Sequence, residues 1–200
     1  MKTSDGIWTP ANVVTMVRVA LVPVWLLCAE LCVPSPTQVS VPCLAVAGLY
    51  ILISLTDKLD GYLARSRNEV TAFGKFLDPI ADKLAVVVAL CFLLETGEVS
   101  SWVLLIIVSR EFLVSGLRMV VASSGVVVAA SNLGKWKTAV TMLAICGLLV
   151  LRAIPQGVAW ATIAHTAFHV LLWIAVILTA WSGVDYFVHC WPYVSESNHE

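Results

Sequence analysis

Four aspartates lie close together in a part of the chain that is otherwise apolar: Asp57, Asp60, Asp78 and Asp82. If this part is helical, each residue turns the side chain by about 100°, so Asp57 and Asp60 lie on one face, roughly 60° apart. Asp78 and Asp82 are four residues apart and share a stripe on the next helix. Neighbouring helices would therefore each present a pair of carboxylates to a common space.

The chemistry that suits this arrangement is the binding of hard divalent cations. Unpaired carboxylates in one space would repel each other, so cations are expected between them. Lys58 and Lys83 are next to aspartates in sequence but point roughly 100° away from them, which makes simple ion pairing a poor explanation. Carboxylates without His or Cys suit Mg²⁺, Mn²⁺ or Ca²⁺. Paired ions of this kind hold the phosphates of an in-line displacement, so the pattern predicts a phosphate-handling site.

Small residues accompany the acidic stripe at Gly61, Ala64 and Gly74. They have two interpretations, because small side chains allow membrane helices to pack closely and also allow a phosphate or nucleotide to approach the backbone. Arg65 lies on the same helical arc as Asp57 and could bind a phosphate, which favours the ligand interpretation.

The composition predicts an all-α integral membrane protein with a single domain. Of the 200 residues, 60% are hydrophobic and only 12% are charged, whereas a soluble domain carries about 25% charged residues. Breakers such as "PSPTQ", "ETGEVS" and "PQG" separate six apolar segments, each expected to be a transmembrane helix. The segments run over about 13–33, 39–64, 74–94, 102–122, 133–154 and 158–191. We expect one domain over 1–200, with a short segment at 1–12, the acidic signature at 57–82 and a tail at 192–200.

The distribution of Lys and Arg predicts the orientation in the membrane. With the N-terminus in the cytoplasm, Arg152 alone of the 12 Lys and Arg residues falls on the outer side. The positive-inside rule therefore places both termini and the aspartates on the cytoplasmic side of the cell (inner) membrane. The net charge of −1 argues against a nucleic-acid partner. A cation transporter with an intramembrane acidic site remains an alternative, although such sites lie more often near the bilayer midplane.

The acidic stretch resembles the signature of the CDP-alcohol phosphotransferase family. It reads Asp57-x2-Asp60-Gly61-x2-Ala64-Arg65-x8-Gly74-x3-Asp78-x3-Asp82, which agrees with that signature at every fixed position. The resemblance implies a six-helix membrane enzyme, usually a homodimer, that uses two divalent cations, Mg²⁺ or Mn²⁺. Such enzymes displace CMP from a CDP-linked substrate with an alcohol.

Residue roles follow from the resemblance, position by position. Asp57, Asp60 and Asp78 would be metal ligands, and Asp82 would bind the second metal and act as the catalytic base on the attacking hydroxyl. The CDP group would lie against Asp60, Gly61, Ala64, Arg65 and Gly74. Asn12, Thr15 and Arg18 resemble the family's N-terminal polar positions near the CDP pocket.

Other stretches resemble a bacterial branch of the family whose donor is CDP-diacylglycerol and whose acceptor is glycerol 3-phosphate. They are "PANVVTMVRVALVP", "SREFLVSGLRMV", "NLGKWKTAVTM" and "LTAWSGVDYF". The same signature occurs in enzymes that transfer to inositol phosphate and in cardiolipin synthases, which use phosphatidylglycerol. These acceptors remain alternatives at the level of the sequence.

A phosphorylated acceptor is favoured by basic residues in the fourth and fifth segments: Arg110, Arg118, Lys135 and Lys137. Converging cations are expected where a phosphomonoester is held, and Glu111 could orient Arg110. Ordinary positive-inside charge is the alternative for any one of these residues. His165 and His169 are four residues apart, but "HTAFH" lacks the glutamate of a zinc-protease helix, so we expect a polar interface near the outer membrane surface.

Overall fold

The computed structural model describes residues 9–66, 72–123, 132–155 and 157–196, with some side chains inside the helices left out. The described chain is all-helical, which confirms the all-α part of the predicted fold class, and no strand occurs within these ranges. It contains six α-helices: α1 (Pro10–Glu30), α2 (Val41–Ser66), α3 (Ala72–Glu95), α4 (Ser101–Ser123), α5 (Asn132–Leu151) and α6 (Ala159–Glu196).

The helix ends follow local sequence signals. α1 begins with Thr9 as its N-cap, whose side chain accepts a hydrogen bond from the Asn12 backbone N–H at 3.3 Å, and with Pro10 in the first turn. α3 ends at Glu95, and Gly97 just beyond it has φ of +78°, a left-handed conformation that favours glycine. The connection between α5 and α6 contains Gly157 with φ of +99°. These residues therefore mark the start of α1, the turn after α3 and the turn before α6.

The core lies between α1, α2 and α3 at one side and α5 and α6 at the other. Trp25 of α1 is buried at its centre, donates to the carbonyl of Val46 at 2.9 Å, and has its ring 5.1 Å from that of Tyr50 and 5.7 Å from that of Phe92. α5 packs against α2 and α6, and α4 packs against α6 and α3. The bundle is therefore closed around apolar side chains contributed by every helix.

The outer surface of the bundle is also apolar. Exposed side chains along α6 include Val170, Ile177, Val184 and Val188, and Trp102 and Trp160 are exposed near the starts of α4 and α6. Within the described residues, two stretches are by themselves long and apolar enough to cross a membrane, Asn12–Glu30 and Ala159–Trp191. Shorter apolar stretches occur at Val41–Thr56 and Trp136–Leu151.

Candidate active site

The described parts of the acidic signature, 57–66 and 72–82, have the predicted helical form. Asp57 and Asp60 lie in the last turns of α2, and Asp78 and Asp82 lie in the first half of α3. The connection between the helices is short and α2 contacts α3, so both pairs belong to the same end of the bundle. The side chains of all four aspartates lie outside the described part of the structure, so their convergence stays a prediction.

The predicted CDP-binding positions are distributed over the same helix ends. Gly61, Ala64 and Arg65 belong to α2, but no side-chain environment is described for these positions. Gly74 is in the first turn of α3 and is buried. A buried glycine at this position agrees with the close approach that both interpretations of the small residues require.

α1 contributes a buried polar face beside the start of the signature. Asn12, Thr15 and Arg18 are all buried, and Arg18 is only 2% exposed. The Arg18 Nε donates to Oγ1 of Thr56 at 3.3 Å, and this hydroxyl donates to the carbonyl of Ile53 at 2.6 Å. Because Thr56 directly precedes Asp57, the contact brings Arg18 of α1 to the acidic end of α2. The place of these α1 residues near a CDP pocket stays a prediction.

Arg110 of α4 is held from two sides. Its Nη2 donates to Oγ of Ser182 on α6 at 2.7 Å, and its Nη1 lies 3.3 Å from Oε1 of Glu111. Its Nε is buried and has no hydrogen-bond partner within the residues that the structure describes. A Cβ at Gly183 would lie 3.0 Å from Cγ of Arg110, so the side chain runs directly over this glycine. Arg110 therefore has a defined pose, in which its buried Nε–H is not used by any of the described residues.

Lys137 of α5 joins Arg110 through the same carboxylate. Its Nζ donates to Oε1 of Glu111, and the lysine is 6% exposed. Nearby, Nζ of Lys83 on α3 donates to Oγ of Ser115 on α4. Lys83, Glu111 and Lys137 also line a small cavity of about 40 Å³ between α3, α4 and α5. Three cationic side chains from α3, α4 and α5 therefore lie near the carboxylate of Glu111: Lys83, Arg110 and Lys137.

The structure separates the predicted acceptor residues into groups. Arg110 and Lys137 share Glu111, as the sequence anticipated for Arg110. Arg118 lies about two helical turns further along α4, is exposed, and has its guanidinium 5.8 Å from the ring of Tyr186. The side chain of Lys135 is outside the described residues.

Sequence reasoning did not identify Lys83, Ser115 and Ser182 as site residues. Helix geometry correctly turned Lys83 away from Asp82, but the partner it turns toward is on another helix. Ser182 lies in "LTAWSGVDYF", one of the stretches that resemble the bacterial branch of the family. That resemblance was the sequence signal that could have identified Ser182.

Most of the chain matches a family of known proteins. The family model described as CDP-alcohol phosphatidyltransferase matches residues 8–181, a range that includes the acidic signature, Arg110 and Lys137. The chain belongs to this family. As a CDP-alcohol phosphatidyltransferase, it is a transferase.

Three curated relatives of this CDP-alcohol phosphatidyltransferase carry the same name. A protein of Bacillus subtilis is 39% identical over 94% of this chain and 97% of its own length. One of Rickettsia bellii is 40% identical over 91% of this chain and 95% of its own, and one of Haemophilus influenzae is 38% identical over 86% and 88%. All three are named CDP-diacylglycerol–glycerol-3-phosphate 3-phosphatidyltransferase.

Proposed function

We propose that this chain transfers the phosphatidyl group of CDP-diacylglycerol to glycerol 3-phosphate, forming phosphatidylglycerol phosphate and releasing CMP. The observation that carries the proposal is the shared name of relatives that align with nearly the whole chain. In this reaction the acceptor hydroxyl forms a new bond to the phosphorus attached to diacylglycerol. The bond from that phosphorus to the CMP oxygen breaks.

The acidic signature would form the reaction centre. Asp57, Asp60, Asp78 and Asp82 supply only carboxylate oxygens from regular helices, a donor set that fits Mg²⁺ or Mn²⁺. Bound at these residues, the cations would neutralise negative charge that develops on the phosphates. Asp82 would accept the proton of the attacking hydroxyl. Its suitability as a base depends on its position, because a carboxylate beside a cation is a weak base.

The donor would lie between α1, α2 and α3. Gly61, Ala64 and Gly74 would let the pyrophosphate approach the helix backbones, and Arg65 would pair with a phosphate. The buried contact between Arg18 and Thr56 supports a role for α1, because it orders a polar wall at the start of the signature.

The charge balance of the α3–α4–α5 cluster supports a phosphorylated acceptor. Lys83, Arg110 and Lys137 carry three formal positive charges, and Glu111 cancels one of them. The remaining two match a phosphomonoester, which carries a charge of roughly −1.5 to −2 near neutral pH. Glu111 would then space the cations and prevent their mutual repulsion when the site is free. Arg118 and Lys135 would extend this cluster toward the aqueous entrance.

The enzyme would span the cell (inner) membrane with all six helices and act on its cytoplasmic side as a homodimer. The apolar outer surface and the two long apolar stretches support the membrane location. The distribution of Lys and Arg supports the orientation. In a variant without native cysteines, Ser131→Cys should resist a membrane-impermeant maleimide in intact cells and Ser35→Cys should react. The reverse pattern would contradict the orientation, and chemical cross-linking would test the dimer.

The proposed reaction is tested by following its lipid product. Purified protein with CDP-diacylglycerol, glycerol 3-phosphate and Mg²⁺ should form phosphatidylglycerol phosphate, detected by mass spectrometry, and excess chelator should stop the reaction. Omission of either substrate is the control. The transporter alternative would instead show metal-dependent flux into liposomes and no lipid product.

A further inference from the structure

A second group of polar side chains lies at the end of the bundle opposite the signature. Oε2 of Glu98, in the turn between α3 and α4, is 2.7 Å from Nε2 of His165 and 3.5 Å from Nε2 of His169. The potential ligand atoms of these residues all lie within 4.8 Å of one another. The two histidines belong to α6, so this Glu–His–His cluster joins elements that are distant in sequence.

The backbone under Glu98 is rigidly defined. Gly97 has a φ of +78°, its N–H donates to the carbonyl of Leu94 at 3.0 Å, and the N–H of Glu98 donates to the carbonyl of Leu93 at 2.8 Å. This pair of hydrogen bonds is the Schellman motif that ends a helix, and the buried Val99 anchors the chain just beyond it. The carboxylate of Glu98 is therefore presented to α6 from a fixed turn.

The histidines are arranged to meet that carboxylate together. His165 and His169 are one helical turn apart, and their ring centroids are 4.5 Å apart. Both rings direct the same nitrogen, Nε2, toward a single carboxylate oxygen. A single hydrogen bond to Glu98 needs only one imidazole. It therefore does not explain why the second ring also directs its Nε2 toward the same oxygen.

We infer that Glu98, His165 and His169 form a binding site for a divalent transition-metal ion of the Zn²⁺ class. Two imidazoles and one carboxylate make up a known zinc ligand set, which leaves a fourth position for water. Zinc-ligand bonds of about 2.0–2.1 Å in a tetrahedron place neighbouring ligand atoms roughly 3.3 Å apart. The distance from Glu98 to His169 already fits, and the distance from Glu98 to His165 requires a side-chain movement of roughly 0.6 Å.

An ion can reach this site, and the site is separate from the reaction centre. The side chains of His165, His169 and Glu98 are 41%, 31% and 23% exposed. From Asp82 to the end of α3 at Glu95 the helix rises by roughly 20 Å. The imidazole ligands also distinguish this site from the carboxylate-only signature, since they favour Zn²⁺ over Mg²⁺. A bound ion would connect the α3–α4 turn to α6.

The test is a zinc titration of the full-length protein in detergent with Mg²⁺ in excess, so that the acidic signature does not compete for the probe. The wild-type protein should bind one Zn²⁺ per chain at the Glu–His–His cluster and unfold at a higher temperature when it is bound. His165→Gln and His169→Gln should each weaken binding by about tenfold or more, because loss of a ligand costs at least as much as loss of an outer-shell partner. Bound Co²⁺ should give the visible absorption of a tetrahedral site with mixed nitrogen and oxygen ligands.

The matched control is His189→Gln on the same helix. His189 is exposed, and its Nδ1 lies 2.8 Å from the backbone carbonyl oxygen of Asp185 and 3.5 Å from Oδ1 of the same residue. This variant should bind Zn²⁺ as the wild type does, and all variants should retain transferase activity, which shows that they are folded. Equal zinc binding by the wild type and the His165→Gln/His169→Gln double variant would overturn the inference. So would the absence of zinc binding in the presence of Mg²⁺, since the cluster would then be only a hydrogen-bonded group.

Discussion

Glu111 on α4 and Lys137 on α5 form an ion pair in the interior of the bundle, and the same carboxylate oxygen lies 3.3 Å from Arg110. The pair fixes the position of a lysine that would otherwise repel its cationic neighbours. The proposed acceptor site therefore depends on a carboxylate that binds no substrate itself.

Lys137→Met should lower kcat/KM for glycerol 3-phosphate by about tenfold to a hundredfold, which corresponds to the 1.5–3 kcal/mol of a charged hydrogen bond. KM for CDP-diacylglycerol should change much less, because the proposed donor site lies between α1, α2 and α3. Lys137→Arg keeps the charge and should give an intermediate value. A comparable loss of affinity for both substrates would argue for general damage to the fold.

Gly183→Ala should reduce acceptor use several-fold, because the new Cβ lies 3.0 Å from Cγ of Arg110 and must displace that side chain. Gly116→Ala is the matched control, because a Cβ at Gly116 meets no atom within 4 Å. Steady-state kinetics would measure acceptor use by both variants, and their melting temperatures would show whether either variant is destabilised. Equal activity in the two variants would show that the pose of Arg110 is unimportant.

Asp82→Asn should lower kcat by about 10²-fold or more, because it removes the proposed base and one metal ligand. The variant should remain folded in detergent and elute from a sizing column like the wild type. Glu95→Gln, at the other end of α3, is the control and should keep full activity. Near-normal turnover by Asp82→Asn would remove Asp82 from the mechanism.

Gly147→Ala should destabilise the protein by about 1–3 kcal/mol, because the added Cβ would overlap the ring of Phe168 where α5 crosses α6. The smaller side chain of Phe168→Leu should restore part of this loss in the double variant. Gly48→Ala, which meets no atom within 4 Å, should instead be neutral or slightly stabilising. Thermal unfolding in detergent measures the stability of each variant. If the losses from Gly147→Ala and Phe168→Leu simply add in the double variant, the close packing of Gly147 against Phe168 is contradicted.

The helices were predictable because apolar runs and breakers are local signals. The segment expected at about 74–94 is α3, Ala72–Glu95, and the segment expected at about 39–64 is α2, Val41–Ser66. The shared helical faces of Asp57 with Asp60, and of Asp78 with Asp82, could be predicted because an α-helix has a fixed angle per residue. The family resemblance then supplied roles that no local pattern contains.

Contacts between helices could not be predicted in the same way. The contact of Lys83 with Ser115, and that of His165 with Glu98, depend on which helices pack together, and a single sequence does not contain this information. The glutamate that contacts the two histidines of "HTAFH" comes from the turn between α3 and α4 and not from α6. Arg110 and Arg118 belong to one predicted segment, but two turns of helix separate them along α4.

The most direct test of the proposed function is the rate of CMP release by the purified protein with CDP-diacylglycerol and each of three acceptors in turn. Glycerol 3-phosphate should support turnover, whereas inositol phosphate and phosphatidylglycerol should give rates near the background without acceptor. Lys137→Met should selectively reduce the rate with glycerol 3-phosphate. CMP release with inositol phosphate or phosphatidylglycerol, and not with glycerol 3-phosphate, would contradict the proposed function.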